Sequence, residues 1–129
     1  MTPRLEAELN LVRQKYGNIE VPQGGEWFIV KQWTLPPGWH KPSIRVLVLL
    51  PPGYPPSPPD NFYTDNDVRL ANGGPPASTS ANQVKAGQQW LQFSYHVDPA
   101  MWRPHADVRR GHNLLTYLDG VGGRLIEAN

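Results

Sequence analysis

Apolar residues near the start of the chain recur at the spacing of an α-helix. Thr2 is a suitable N-cap, Pro3 fits the first helical position, and Gly17 ends the pattern. Glu6 and Glu8 lie early in this segment, where acidic side chains complement the helix dipole. The pattern therefore predicts a first helix whose apolar stripe consists of Leu5, Leu9, Val12 and Tyr16.

Beyond this helix the pattern changes to short strands separated by turn residues. Three strands are predicted in succession: Ile19–Val21, Glu26–Leu35 and Ser43–Leu50. The short links between them imply an antiparallel meander. The third strand is almost continuously apolar, which predicts a central strand covered on both faces, with a helix on at least one. Alternation along the second strand predicts one shared face for Trp27, Ile29, Trp33 and Leu35.

A proline-rich segment over residues 51–59 follows the third strand. Proline lacks the N–H that a sheet needs, so the segment ends the strand and predicts a stiff, polyproline-like crossover. A short fourth strand is predicted at Asn61–Tyr63. The alternative interpretation is a linker or a ligand for an SH3 or WW domain, but ordered patterns resume on both sides of the segment.

The second half of the chain is less regular. Residues 65–86 are small and polar and predict a long loop. Gln88–Val97 alternates in polarity and predicts an extended segment, and Asp107–Leu125 predicts a C-terminal helix weakened near its end by glycines. The predicted fold class is α+β in one domain over residues 1–129: an N-terminal helix, a four-stranded antiparallel meander, a long loop and a C-terminal helix.

Composition removes several classes of function. The absence of cysteine excludes disulfides, thiolate nucleophiles and zinc–thiolate sites, and we expect neither a metal nor a cofactor. Twelve basic and eleven acidic side chains are spread evenly, so we expect no nucleic-acid partner. The longest apolar run, Val46–Leu50, is too short to span a membrane, and no signal-peptide pattern is present. We therefore expect a cytoplasmic protein without membrane association.

Two blocks of sequence carry a family resemblance. The first is Pro51-Pro52-Gly53-Tyr54-Pro55 followed by Pro58-Pro59, and the second is Trp102-Arg103-Pro104 followed by Asp107-Val108 and Leu114-Leu115. Their order and separation resemble the "P-x-x-Y-P", "P-P" and "W-x-P" blocks of the ubiquitin-conjugating (UBC) superfamily. The resemblance covers most of the chain and is closest to the divergent prokaryotic UBC-like group called family E.

This resemblance implies a UBC-like component of a bacterial ubiquitin-like conjugation pathway. The implied partners are a ubiquitin-like modifier, a ThiF-type activating-enzyme-like protein and a JAB-type metalloprotease of the same pathway. Gene neighbourhoods of the family suggest a role in defence against phage. The resemblance also implies that the "W-x-P" turn, Trp102, Arg103 and Pro104, walls the active-site groove, that Tyr54 anchors the proline crossover, and that the family's last helices are absent here.

The departures from the family pattern are as informative as the matches. Conjugating members usually carry a cysteine about eight residues before the tryptophan of "W-x-P", and that position here is Ser94. A serine hydroxyl needs a base. His96 lies two residues further along an extended segment, which places both side chains on one face, and Asp98 could orient His96. The family's His-Pro-Asn is missing and its asparagine has no clear counterpart, although Asn72 and Asn82 are candidates.

Three functions stay open from the sequence. The first is a transferase that carries the modifier as an oxyester on Ser94, and the second is an inactive scaffold that binds the modifier or its activating enzyme. A small Ser-His hydrolase is a weaker third, because no G-x-S-x-G nucleophile elbow is present. Alternative hydroxyls are those of Ser78, Thr79 and Ser80.

Overall fold

The first helix forms where the sequence places a capped apolar stripe. The computed structural model describes residues 1–128, so Asn129 of the predicted domain lies outside the described residues. Helix α1 spans Pro3–Tyr16, and the Thr2 hydroxyl accepts a hydrogen bond from the Leu5 amide at 3.1 Å. The predicted helix is confirmed.

The sheet has six strands, not the predicted four. Its members are β1 (Ile19–Glu20), β2 (Trp27–Thr34), β3 (Ser43–Leu49), β4 (Phe62–Asp65), β5 (Thr79–Lys85) and β6 (Gln88–Phe93). The strand order is β1-β2-β3-β4-β6-β5, and every neighbouring pair is antiparallel. The predicted meander is present as β1 to β4, and a β5–β6 hairpin extends it because β6 pairs with β4.

Strand β5 lies inside the segment that was expected to be a loop. It is an edge strand that pairs only with β6, so most of its side chains face solvent and it needs no apolar alternation. Ala86 and Gly87, with φ of 49° and 73°, form the two-residue turn that leads into β6. Local composition therefore suggested a loop where long-range pairing makes a strand.

A bulge in β2 separates its apolar side chains between the two faces of the sheet. Val30 pairs with Val46 and Trp33 pairs with Ile44, so β2 has one residue more than β3 between these pairs. Trp33 lies with the helix-covered core, whereas Ile29 lies in a cluster on the opposite face. The prediction of one shared face for Trp27, Ile29, Trp33 and Leu35 is therefore wrong.

The last helix starts later than predicted. Helix α2 spans Leu114–Glu127, because Asn113 and Thr116 form a reciprocal capping box: the Asn113 side chain accepts from the Thr116 amide at 3.0 Å, and the Thr116 hydroxyl accepts from the Asn113 amide at 2.9 Å. A Cβ at Gly120 would lie 1.7 Å from the Tyr95 hydroxyl oxygen, so glycine permits a close approach there. Neither this helix nor α1 is long and apolar enough to cross a membrane, and no other α-helix occurs in residues 1–128.

The two helices cover one face of the sheet and complete the main core. Leu9 and Val12 of α1 and Leu118 and Val121 of α2 are fully buried there. The opposite face carries a smaller cluster formed by Ile29, Leu47, Tyr63 and Trp90. Strand β3 contributes to both clusters, as its continuous apolar sequence predicted.

A buried carboxylate connects α1, α2 and the proline-rich segment. Glu8 is 1% exposed and pairs with Arg4 at 2.9 Å. Its Oε1 accepts hydrogen bonds from the Tyr54 hydroxyl at 2.5 Å and from the Leu114 amide at 2.8 Å. A negative charge at a helix N-terminus is favourable, so Glu8 of α1 stabilises the start of α2. Arg4 also donates to the His105 carbonyl oxygen.

The proline-rich segment is a series of turns and not the expected polyproline crossover. The Tyr54 amide donates to the Pro51 carbonyl at 3.0 Å, and the Ser57 amide donates to the Gly53 carbonyl at 2.8 Å. These turns bring the Tyr54 hydroxyl to Glu8. Local hydrogen bonds and the buried carboxylate therefore determine the conformation of this segment.

Replacing Glu8 is expected to destabilise the whole fold. Glu8→Ala leaves the Tyr54 hydroxyl, the Leu114 amide and the Arg4 guanidinium without their shared acceptor. Removing one partner of a buried ion pair costs about 3–5 kcal/mol of unfolding free energy. Urea denaturation measures this loss, and Glu6→Ala, exposed on the same helix, should cost less than about 1 kcal/mol. Equal effects of the two variants would contradict the assigned role of Glu8.

Two buried tyrosines, Tyr54 bonded to Glu8 and Tyr117 bonded to the Asn61 carbonyl, predict a loss of stability in alkali. Burial, with the Glu8 carboxylate as the second cause, raises the pKa of Tyr54 far above its usual range, and burial does the same to the pKa of Tyr117. Unfolded tyrosine ionises near pH ~10, so the stabilisation is complete below that pH and declines as pH rises above it. Tyr54→Phe should reduce the decline of the unfolding free energy above pH ~10, measured by urea denaturation across pH. An unchanged decline would contradict this assignment.

Candidate active site

Residues 94–98 continue from the end of β6 as an extended segment held on both sides. The Ser94 amide donates to the Ser78 carbonyl at 3.0 Å. On the other side, the Asn61 amide donates to the Tyr95 carbonyl at 2.7 Å, and the Tyr95 amide donates to the Asn61 side-chain oxygen at 3.2 Å. Tyr95 and Val97 pack against the helix-covered core, and this leaves Ser94 and His96 on the other side of the segment.

Ser94, His96 and Asp60 form a continuous hydrogen-bonded chain. The Ser94 Oγ lies 3.2 Å from His96 Nε2, and His96 Nδ1 lies 2.6 Å from Asp60 Oδ1. A carboxylate beside Nδ1 favours the ring tautomer with its proton there, which leaves Nε2 free to accept the serine proton. The structure thus brings together the predicted Ser94 and His96, and it adds a carboxylate that sequence reasoning missed.

The carboxylate next to His96 belongs to Asp60 and not to the expected Asp98. The Asp98 side chain accepts a hydrogen bond from the Ala100 amide at 2.9 Å and caps a short 3₁₀ helix, Pro99–Met101. Pro99 has a backbone that suits the start of such a turn, and an aspartate in front of it caps the free amides. This local role accounts for the position of Asp98 away from the imidazole.

Asn61 explains how Asp60 reaches the imidazole. Its φ of 59° is in the left-handed region, which asparagine adopts more readily than most residues. The regular alternation of side chains in β4 therefore does not extend back to Asn61 and Asp60. Its carbonyl oxygen accepts from the Tyr117 hydroxyl at 2.5 Å, which connects this corner to α2. Phe62 pairs with Phe93, so Asp60 and Asn61 lie beside the segment that follows β6. Only this register shows that Asp60 and His96 are neighbours.

Arg124 of α2 holds the same segment from the other side, and sequence reasoning also missed it. Its Nε donates to the Ser94 carbonyl at 2.9 Å, and its Nη2 donates to the Ala77 carbonyl at 2.6 Å. The guanidinium also lies over the Phe93 ring, 5.5 Å from its centroid. Arg124 therefore fixes the backbone of the serine relative to both the last helix and the loop before β5.

The hydrogen-bonded chain is open to solvent. The His96 and Asp60 side chains are 65% and 66% exposed, and Ser94 is half-buried. A hydroxyl at such a position can be reached by the carboxyl terminus of another protein. In the described part of the chain, no group of three or more His, Cys, Asp or Glu residues is placed to hold a metal ion.

The residues predicted to bind a partner mostly support a turn. The Trp102 ring is buried, its Nε1 donates to the Pro55 carbonyl at 2.7 Å, and it stacks on His112 at 5.3 Å. Arg103 is exposed, and its amide donates to His112 Nδ1 at 2.9 Å. Pro104 is half-buried. Tyr54 is held by Glu8, as described above.

A cavity of about 550 Å³ lies between the Trp102 turn and the extended segment. Tyr95 and Val97 line it on one side, and Trp102, His112 and Tyr117 line it on the others. The second block of the sequence resemblance and the serine segment therefore share one cavity. The side chains of the segment that line this cavity, Tyr95 and Val97, lie on the face opposite to Ser94 and His96.

Most of the chain matches one protein family. Residues 6–125 match the model described as prokaryotic E2 family E. The chain belongs to this family. The comparisons with curated proteins and with solved structures give no match. The UBC-like resemblance is confirmed, and family membership implies partnership in general with a ubiquitin-like modifier and an activating enzyme.

Two aspartate substitutions separate the roles assigned to Asp60 and Asp98. Asp60→Asn removes the charged acceptor at Nδ1 of His96, so we expect a larger share of the ring tautomer with its proton on Nε2. The ¹⁵N chemical shifts of the ring nitrogens measure the two tautomers. Asp98→Asn should leave these shifts unchanged because Asp98 bonds to Ala100. A response of His96 to Asp98→Asn alone would reverse the assignment.

Proposed function

We propose that this E2 family E protein accepts the carboxyl terminus of a ubiquitin-like modifier as an oxyester on Ser94 and passes it to an amine. One observation carries the proposal: the Ser94 hydroxyl, which the sequence resemblance puts at the cysteine position of conjugating members, contacts an imidazole that a carboxylate orients. This is the arrangement that activates a serine nucleophile. Family membership supports the conjugation setting.

The loading step balances with the groups present and the activated modifier. His96 Nε2 takes the proton of Ser94 as its Oγ attacks the carbonyl carbon of the modifier's thioester on the activating enzyme. A C–O bond forms, the C–S bond breaks, and the imidazolium gives its proton to the departing thiolate. Asp60 stabilises the imidazolium during this step. Asp60 therefore takes the role that was predicted for Asp98.

The transfer step reverses these proton movements. The amine nitrogen of the acceptor attacks the ester carbon, the C–O bond to Ser94 breaks, and His96 carries the amine's proton to the Ser94 oxygen. Arg103 is exposed at the end of the neighbouring turn and is proposed to contact the modifier. Tyr54, Trp102 and Pro104 hold that turn in place.

We extend the proposal to the partner proteins and the biological role of the pathway. The sequence resemblance suggests a ThiF-type activating enzyme as the donor and a JAB-type metalloprotease as the enzyme that removes the modifier. It also suggests a cytoplasmic pathway that acts in defence against phage. Co-purification of the chain with these two proteins from its native cells tests this setting.

The chain offers an unusually direct test because it has no cysteine. Incubation with the activating enzyme, the modifier and ATP should give an adduct that resists thiol reductants and is cleaved by hydroxylamine. Ser94→Ala should abolish it. Ser94→Cys should restore an adduct that thiol reductants now cleave, because a thioester replaces the oxyester.

Matched controls locate the adduct. Ser80→Cys introduces one exposed thiol on edge strand β5, which contains no histidine, and should give no thioester. His96→Ala should slow loading of Ser94 by on the order of 10²–10⁴-fold, as expected for loss of a general base. A wild-type adduct that persists in Ser94→Ala would overturn the assignment to this serine.

A scaffold without catalysis is the second candidate, and the missing cysteine favours it. In this case the chain binds the modifier or the activating enzyme through the exposed surface around the "W-x-P" turn. Binding of the isolated partners, measured by calorimetry, together with no adduct under the conditions above, would support the scaffold over the transferase.

A further inference from the structure

The Ser94–His96–Asp60 chain is accessible to water as well as to a protein partner. The imidazole is 65% exposed and the carboxylate is 66% exposed. An acyl group on the Ser94 oxygen would therefore lie next to a base that bulk water can reach.

We propose that this site is also an acyl hydrolase, which acylates Ser94 from activated esters or thioesters and then releases the acyl group to water. The proposal uses the serine, histidine and aspartate of the proposed function, but it requires neither the activating enzyme nor the modifier. It therefore adds an activity that the isolated chain can show.

Both half-reactions balance with water as the only further reactant. In acylation, the Ser94 Oγ–C bond forms, the bond from carbon to the leaving group breaks, and His96 moves the serine proton to the leaving group. In deacylation, a water oxygen attacks the ester carbon, His96 takes one water proton, and that proton returns to Ser94 Oγ as the C–O bond breaks. The products are a free carboxylic acid and unchanged enzyme.

The missing nucleophile elbow does not argue against this activity. A serine triad is recognised by the geometry and roles of its members and not by their order in the chain. Here the order is Asp60, Ser94, His96, and the serine lies on an extended segment after β6. The contacts at 3.2 Å and 2.6 Å are those by which a base and its carboxylate activate a serine.

The surroundings of Ser94 indicate the class of substrate. The neighbouring cavity is lined by Tyr95 and Val97, whose side chains lie on the opposite face of the segment from Ser94 and His96. An acyl chain on Ser94 would therefore lie on the face of the segment away from this cavity. The substrates are small, unbranched acyl esters and thioesters, or the extended carboxyl terminus of a peptide.

Hydrolysis of p-nitrophenyl acetate by the isolated full chain tests the proposal. Wild-type protein should release nitrophenol catalytically, and intact-mass and peptide analysis should find acetyl on Ser94. Ser94→Ala should lose this activity, and His96→Ala should lower it by on the order of 10²–10⁴-fold. Asp60→Asn should lower it at least tenfold. Ser57→Ala and His105→Gln, exposed serine and histidine controls, should retain it.

Labelling by a fluorophosphonate provides a second readout on unmodified protein. This probe phosphonylates activated serines as the serine oxygen displaces its fluoride, and it should label Ser94 of the wild-type chain but not of the folded Asp60→Asn and His96→Ala variants. Circular dichroism confirms that each variant is folded. No labelling of the wild type, or ester hydrolysis that persists in Ser94→Ala, would overturn the proposal.

The two proposals fail independently. Labelling and ester hydrolysis without any adduct from the activating enzyme would retain the hydrolase and remove the transferase. An adduct on Ser94 that persists without acceptor amine, in a chain that neither hydrolyses the ester nor reacts with the probe, would retain the transferase and overturn the hydrolase.

Discussion

The Glu8 carboxylate, buried in the interior, is the interaction on which the other elements depend. It accepts from the first amide of α2 and from Tyr54 of the proline-rich turns, and it pairs with Arg4. A buried charge is tolerated only when it is paired and hydrogen-bonded, so these contacts must form together. One side chain of α1 thus holds the start of α2, which the Asn113–Thr116 capping box defines, next to the proline-rich turns.

The position of α2 then determines the geometry of the site. Tyr117 and Arg124 belong to this helix, and they bond to the carbonyl groups of Asn61 and Ser94. Asn61 in turn bonds to the Tyr95 backbone. The serine segment is therefore attached to α2 directly through Arg124 and indirectly through Tyr117 and Asn61. The exposed Ser94–His96–Asp60 chain is therefore supported by a buried framework, which fits a site that needs both access and a fixed arrangement.

Local signals in the sequence predicted some of these features and missed others for physical reasons. The caps and apolar spacing of α1 are local, and so is the two-residue separation of Ser94 and His96. The partnership of His96 with Asp60 depends on the register of β4 and β6, which no local pattern contains. Glu8 resembles an ordinary surface residue of a helix because Tyr54 and Leu114, the partners that show its burial, are distant in sequence. Simple alternation predicts that Ile29 and Trp33 share one face of the sheet, but the bulge in β2 places them on opposite faces.

The close approach of Tyr95 to Gly120 has a consequence for comparison among relatives. The tyrosine oxygen occupies the space that a methyl group at position 120 would need. A homologue with alanine or a larger residue there must turn the tyrosine side chain away, hold its helix further from the reactive segment, or carry a smaller residue than tyrosine opposite. The pair of residues at positions 95 and 120 therefore indicates, from sequence alone, which relatives retain this spacing.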